Sequence, residues 1–259
     1  MSSSSFSQAA SSYDQDFTFT AIGEAQRACV WQTLLKRSVA NKKILELNAG
    51  TGEDAKRFLE HDCEHIVVTD VAEGMLEQAR HKLQSFDRLA FQQLNLQAPE
   101  LQEKQIFDIV FSNFGGLNCV PPEKMSRLFE FLNIHSHEQT RIILVVMGRN
   151  SLWDKFYMCI KGKFSQINRR TKMVDQVNLN GKAVDTYFYA PEQLKHHASL
   201  HFKAINIQPI GFLVPPSYMN PFFAKHPRIL NLLINLDRKM PWRLLADYAD
   251  HYYIEFIKK

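Results

Sequence analysis

Short apolar runs alternate with amphipathic stretches along the first 147 positions of the chain. Residues 42–47, 65–70, 89–94, 107–111 and 141–147 read as strands too short for ordinary helices, and 65–70 and 141–147 are rich in β-branched residues. They carry little polar alternation, as expected of strands covered on both faces in a parallel sheet. Residues 22–35, 53–60, 73–84 and 122–132 instead place apolar side chains at helical spacing. Strands and helices in alternation predict βαβ units, and hence a doubly wound α/β fold.

The alternation stops near Gly148. Residues 151–170 are basic and aromatic-rich, and Asn178 to Gly181 reads as a turn. Residues 191–198 read as a short helix and 202–214 as a strand running into Pro215 and Pro216. Helical pattern returns at 227–239 and around Trp242 to Tyr248, and 251–257 reads as the last strand. No linker sets off a second domain. The expected division is a disordered serine-rich tail (1–12), a core (13–150), a lid or substrate insertion (151–190), and a C-terminal part of the same domain (191–259). That last part holds a second insertion at 215–248.

Composition narrows this little. With 259 residues, 45% hydrophobic and 22% charged, one large domain is expected. A net charge of +4 is too mild to argue for nucleic acid by itself. Cys29, Cys63, Cys119 and Cys159 form no CxxC pair, so neither a zinc site nor a disulfide scaffold is expected. No apolar run approaches the ~20 residues that span a bilayer, and the start lacks a secretory pattern. The expectation is a cytoplasmic protein.

The chemistry-bearing signal is the turn between the first strand and the first core helix: Glu46, Leu47, Asn48, Ala49, Gly50, Thr51, Gly52. Glycine is needed where backbone approaches a ligand or takes positive φ. A turn at the carboxyl end of the first strand opens on the crevice of a doubly wound sheet. A dinucleotide loop wants three glycines; here Asn48 and Glu53 stand at the outer positions, and an acid would face a pyrophosphate. The Gly-Lys-Ser/Thr ending of a Walker loop is absent. Asp70 follows at the end of the second strand, about where such folds hold a ribose.

The turn from Glu46 to Gly52, the stretch from Val68 to Leu76 and the stretch from Phe107 to Phe114 resemble the first, second and fourth-strand motifs of class I methyltransferases that use S-adenosylmethionine (SAM). Tyr13, Asp14 and the helix after them resemble the amino-terminal lid of small-molecule members such as those of quinone biosynthesis. The resemblance covers about residues 13–147 and the final strand. It implies a seven-stranded, mostly parallel Rossmann-like sheet with an antiparallel last strand and helical lid insertions. It implies SAM as cofactor, with Glu46 supporting the turn and the methionine ammonium and Asp70 accepting the ribose hydroxyls. Met75 then lies against the adenine, with Tyr13, Asn48, Ala49, Gly50, Gly52 and Val71 around the ligand. Asn95 and Leu96 stand where the family usually has an acid for the adenine amine; the Asn95 amide oxygen offers the same acceptor. Ser112 and Asn113 lie near the methyl group. Asn48 and Asn95 are departures from the commonest pattern.

Methyl transfer from SAM needs neither a covalent nucleophile nor a metal, only alignment and exclusion of water. For a hydroxyl acceptor a base helps, and the weak candidates are His196, His197 and His201, none in a diagnostic spacing. His135 and His137 read as a surface loop, and His251 as a structural hydrogen-bonder. Acceptor contacts are expected from Phe114, Asn118, Trp153, Tyr157 and Tyr189, suiting a small aromatic, polyketide-like or lipid-like molecule. Residues 155–172 interleave cations with aromatics, which reads as a solvated basic face, with docking of an anionic substrate, a weak membrane-surface contact or an RNA as the alternatives. No nucleic-acid partner is expected. The alternatives are a catalytically idle SAM-fold binding protein, an RNA or protein methyltransferase and, more distantly, a nicotinamide-dependent oxidoreductase.

Overall fold

The apolar runs assemble into one sheet because each must bury two faces. A computed structural model describes residues 2–172, 174–179, 182–239 and 243–259. Two helices come first, α1 (Ser2–Tyr13) and, after a π-helical turn, α2 (Ala21–Leu34). The core then runs β1 (Lys43–Glu46), α3 (Glu53–Glu60), β2 (His65–Asp70), α4 (Glu73–Lys82), β3 (Leu89–Gln93), β4 (Phe107–Ser112), α5 (Pro122–Ile134) and β5 (Ser136–Met147). Next come α6 (Leu152–Ile160), a hairpin of β6 (Asp175–Leu179) and β7 (Lys182–Thr186), and α7 (Pro191–Ala198). The chain continues through β8 (Phe202–Ile210), α8 (Asn220–Phe223), α9 (Pro227–Lys239) and β9 (His251–Lys258).

The seven-stranded sheet has the order β3-β2-β1-β4-β5-β9-β8. The pairs from β3 to β5 are parallel, and β9 runs antiparallel to both β5 and β8. The order reverses between β1 and β4, so their carboxyl ends diverge into the crevice where such sheets bind ligands. Alternate residues of each strand feed opposite cores. Leu45, Val67, Val110, Ile142 and Leu144 pack with α5 and α7, while Ile44, Ile66, Val68, Phe111 and Ile143 pack with α2, α3 and α4. Phe111 meets Phe58 edge-on at 5.2 Å, and Phe58 lies 4.7 Å from Trp31, which fixes α2 and α3 on that face.

The structure corrects several expectations. The serine-rich start is helix α1 and not a disordered tail. Gly74 has no Cβ, so the Ser7 backbone comes close enough that an added Cβ would sit 2.8 Å from its carbonyl oxygen, and Ser7 Oγ accepts the Gly74 N–H. Ala10 packs on Ala72 and Met75. Serine's weak helix propensity is overridden by this contact. His135 and His137 are not in a surface loop: α5 runs almost directly into β5, and buried His135 places Nδ1 2.7 Å from the Gln105 carbonyl oxygen. Strand β8 stops at Ile210 because Gly211 turns left-handed at φ 68°. The expected helix near the end is a 3₁₀ segment, Arg243–Tyr248. Trp242 and, in the 178–181 turn, Asn180 and Gly181 lie outside the described residues.

Candidate cofactor and acceptor cavity

A cavity of about 830 Å³ opens at the carboxyl ends of the parallel strands. Its floor is the turn after β1, the ends of β2 and β4, and the segment after β3. Its walls come from α1, α2, the segment before β6, β7 and the chain just after it, the start of α8 and the segment before it, and the residues around the start of β9. The volume falls in the ~300–1,000 Å³ range of small-molecule sites.

The two glycines of the turn do different work. Gly50 and Gly52 both have positive φ, 56° and 79°. At Gly50 an added Cβ would meet no atom within 4 Å, and this residue lines the cavity. At Gly52 it would sit 3.0 Å from the Ala79 Cβ. Gly52, expected at the ligand, therefore serves helix packing and does not line the cavity. Asn48 clamps the turn to β4: its Nδ2 donates to the Asn113 carbonyl at 2.6 Å and its Oδ1 accepts from Ser112 Oγ. Ser112 is thus buried behind the wall.

Asp70 closes the turn from the other side. Its Oδ2 accepts the Gly50 N–H at 3.0 Å and its Oδ1 the Ala72 N–H at 2.9 Å. Burial nevertheless pushes its pKa up to about 6, against these backbone donors. Glu46, beneath the turn, is 2% exposed, and one of its carboxyl oxygens, Oε2, has no partner. Burial, then the nearby Asp54 carboxylate, raises its pKa well above the usual range, with Arg27 opposing. Arg27 itself pairs with Asp54, which also accepts from Trp31 Nε1 at 2.6 Å and Asn113 Nδ2 at 2.9 Å. These donors keep Asp54 low in spite of burial. Arg27 also lies over the Phe114 ring, 5.1 Å from its centroid.

Tyr13, Val71, Met75, Asn95 and Leu96 line one end of the cavity together with Phe6, Leu94 and Cys119. Burial pushes the Tyr13 phenol up to about 12 and the Cys119 thiol to about 11, so both stay protonated near neutral pH. Asn95 Oδ1 already accepts the Gln97 N–H at 3.0 Å, which leaves one lone pair free.

The other end carries a charge network that linear spacing does not reveal. Asp250 receives Arg170 Nη2 at 2.7 Å and Gln26 Nε2 at 3.2 Å. Burial alone would raise Asp250, but His251 and Arg170 hold it far below the usual carboxylate range. His251 Nδ1 sits 3.1 Å from Asp250 Oδ2, out of line for a good hydrogen bond, and its ring stands edge-on to Phe114 at 5.3 Å. His251, expected to be only structural, lines the cavity, as do Arg169, Thr186, Phe188 and Tyr218.

Asn113 and Phe114, from the turn after β4, line the cavity, whereas the other residues expected at the acceptor do not. Asn118 is buried, its amide bridging the Met147 N–H and the Tyr187 carbonyl. Tyr189 donates to the Val120 carbonyl, and Trp153 Nε1 to the Leu213 carbonyl at 3.1 Å. Tyr157 packs on Tyr218 at 4.7 Å. The polar tips of Asn118, Tyr189 and Trp153 anchor packing residues to backbone groups. His196 and His197 ride on α7, which packs on α5; His197 meets Ser126 at 3.2 Å, and His201 follows α7. None of the three lines the cavity, so none can act there as a base.

Comparison with known proteins agrees with this geometry. Residues 44–134 match a family described as a methyltransferase domain. A demethylmenaquinone methyltransferase from Clavibacter sepedonicus is 36% identical over 123 residues, 47% of this chain and 49% of that protein. The chain thus matches about half the length of that curated relative. Among solved structures, a DhpI complex with S-adenosylhomocysteine (SAH) superposes with a TM-score of 0.64 at 14% identity, covering 98% of this chain and 94% of that one. The CcbJ methyltransferase from Streptomyces caelestis gives 0.64 at 13% identity, covering 100% and 99%. Residues 44–134 thus match a methyltransferase domain, and the chain shares the fold of solved methyltransferases such as CcbJ.

Proposed function

We propose that the chain binds SAM in this cavity and transfers its methyl group to a small organic acceptor. The observation that carries the reading is the unpartnered Glu46 oxygen beneath the turn whose Gly50 faces open space. A buried acid crowded by Asp54 and Asp70 costs free energy unless a cation completes it. The ammonium of a bound amino-acid end supplies one; a pyrophosphate would meet Glu53 and Asp54 in the first turn of α3 instead. Arg27, whose Nε is unpartnered, offers a donor to the carboxylate of the same ligand. Asp70 takes the ribose hydroxyls, and Val71, Met75 and Leu96 the adenine.

When bound, SAM supplies a methyl on a cationic sulfur, already activated for displacement. The chain's task is to hold an acceptor atom in line and keep water out, a contribution of roughly 7–11 kcal/mol for good alignment. Phe114, Val184 and Phe188 give the acceptor an apolar bed, and Thr186, Tyr218 and His251 give it polar contacts. For a hydroxyl acceptor, His251 is the base on the spot: Nδ1 faces Asp250, which leaves Nε2 to take the proton. The name of the Clavibacter relative adds a quinone-type ring to the aromatic, polyketide-like and lipid-like classes.

Titration calorimetry with SAM, SAH and NAD tests the reading, with heats expected from the first two alone. Turnover against phenols, quinones and acyl compounds then separates an enzyme from an idle binding fold. Binding of NAD, or of none of the three, removes the proposal.

A further inference from the structure

Helices α6, α8 and α9 meet in a small cluster of their own, separate from the two main cores. Trp153 of α6, Phe223 of α8 and Leu230, Leu233 and Ile234 of α9 pack there with Ile22 and Val214. This cluster uses only one side of the helices. On α6, Leu152, Phe156 and Ile160 recur every fourth residue and are 47, 52 and 62% exposed. On α9, Ile229, Leu232 and Leu236 recur at helical spacing and are 47, 58 and 44% exposed. Phe156 and the exposed Phe222 flank the Trp153–Phe223 contact, at ring distances of 5.7 Å from Trp153 and 5.1 Å from Phe223. Apolar stripes of this kind on adjoining helices mark an interaction surface.

Charge says what kind. Residues 151–172 hold a single acid, Asp154, buried against Arg169 and Tyr218. Residues 215–246 also hold a single acid, Asp237, whose carboxylate accepts the Leu213 and Val214 N–H groups. Exposed cations surround the stripes instead: Lys161 and Lys163 after α6, Lys225 and Arg228 at the start of α9, and Arg238 and Lys239 at its end. A second copy of the chain would set these like charges against each other. An acidic lipid surface complements them, and amphipathic helices with cations beside an apolar face lie in such surfaces.

We propose that the α6–α8–α9 face seats the protein on an anionic membrane surface. The proposal stands on this face alone. Its consequence for the acceptor rests on the methyl-transfer reading: Pro216 and Tyr218, which line the cavity, lead directly into α8, whose Pro221 lines it too, so the acceptor would enter from the lipid side.

The test is co-sedimentation of the full chain with vesicles of phosphatidylglycerol and phosphatidylcholine against phosphatidylcholine alone. The expected result is uptake by the anionic vesicles only, weakened at least about tenfold by raising salt. The apolar variant F156E/L232E and the charge variant K225E/R228E/K239E should each lose about tenfold or more in uptake, with unchanged circular dichroism and melting. All these positions are exposed and outside the cavity, so SAM calorimetry on the same samples reads the cofactor proposal separately. No uptake by anionic vesicles, unchanged uptake by both variants, or a dimer in light scattering that F156E/L232E dissolves without any vesicle binding overturns the proposal.

Discussion

Asp70 Oδ2 holds the Gly50 N–H at 3.0 Å, so one carboxylate ties the end of β2 to the turn after β1 across twenty residues of chain. Its other oxygen holds Ala72 at the entry to α4. The side chain proposed to hold the ribose therefore also shapes the turn. Asp70→Ala should weaken SAM binding at least about tenfold, equivalent to about 1.4 kcal/mol, in titration calorimetry. Unchanged affinity would remove Asp70 from the ribose.

The position of Asp70 sets a pH dependence. Its pKa in the folded protein, about 6, lies above the ordinary 3.8. A raised carboxyl contributes stability that is full below the unfolded value and lost as pH rises through about 6. Ribose hydroxyls favour the ionised form, so SAM affinity should climb up to about tenfold per pH unit below 6 and level off above it. Asp70→Asn should flatten that step, leaving only the slope from Glu46, whose pKa is shifted in the same direction. Calorimetry and urea unfolding from pH 4.5 to 7.5 read both effects, and a wild-type affinity flat through pH 6 would contradict them.

Arg27 and Asp54 form a buried ion pair with two further donors on the carboxylate. Arg27→Met leaves Asp54 beside Glu46 with its main cation gone. The expected cost is about 3–5 kcal/mol in urea unfolding, with SAM affinity reduced as well. The double change Arg27→Met with Asp54→Leu should restore a large part of the stability but not the affinity. A single variant as stable as wild type would show that the pair contributes nothing.

Two glycine substitutions separate turn geometry from ligand space. A Cβ at Gly116 would fall 2.2 Å from Asn48 Cγ, displacing the clamp between the turn and β4. Gly116→Ala should cost about 1–3 kcal/mol of stability. Gly50→Ala meets no protein atom but fixes a side chain at φ 56°, a strain of about 1–2 kcal/mol, and puts its methyl in the cavity. It should therefore lower SAM affinity more than its stability change accounts for. Thermal melts with and without SAH measure both.

Much of this was readable in the chain itself, for a physical reason. Runs such as Ile142 to Val146 must be buried on both sides, and only a strand in a parallel sheet allows that. The turn from Glu46 to Gly52 was readable because its glycines and acid stand at fixed spacing. What stayed hidden depends on contacts between distant residues. Gln26 reaches Asp250 across 224 positions, and Arg170 reaches it across 80, so no local pattern marks Asp250 or His251 as part of the site. The aromatics after Gly148 misled in the opposite sense. Trp153 and Tyr189 look like pocket residues in sequence, yet their polar tips anchor to backbone carbonyls.

His251 provides the sharpest division between binding and chemistry. For a hydroxyl acceptor, His251→Asn should cut kcat about 10²–10⁴-fold while SAM affinity stays within twofold, roughly the span of general-base catalysis. A full rate in that variant would take the base away from His251.

The most direct measurement is a crystal structure with SAH soaked into the cavity. The expected result is the ligand's amino group above the turn on the Glu46 side, with its two ribose hydroxyls on Asp70. An empty turn, or a ligand whose pyrophosphate rather than amino acid lies against Gly50, would contradict it.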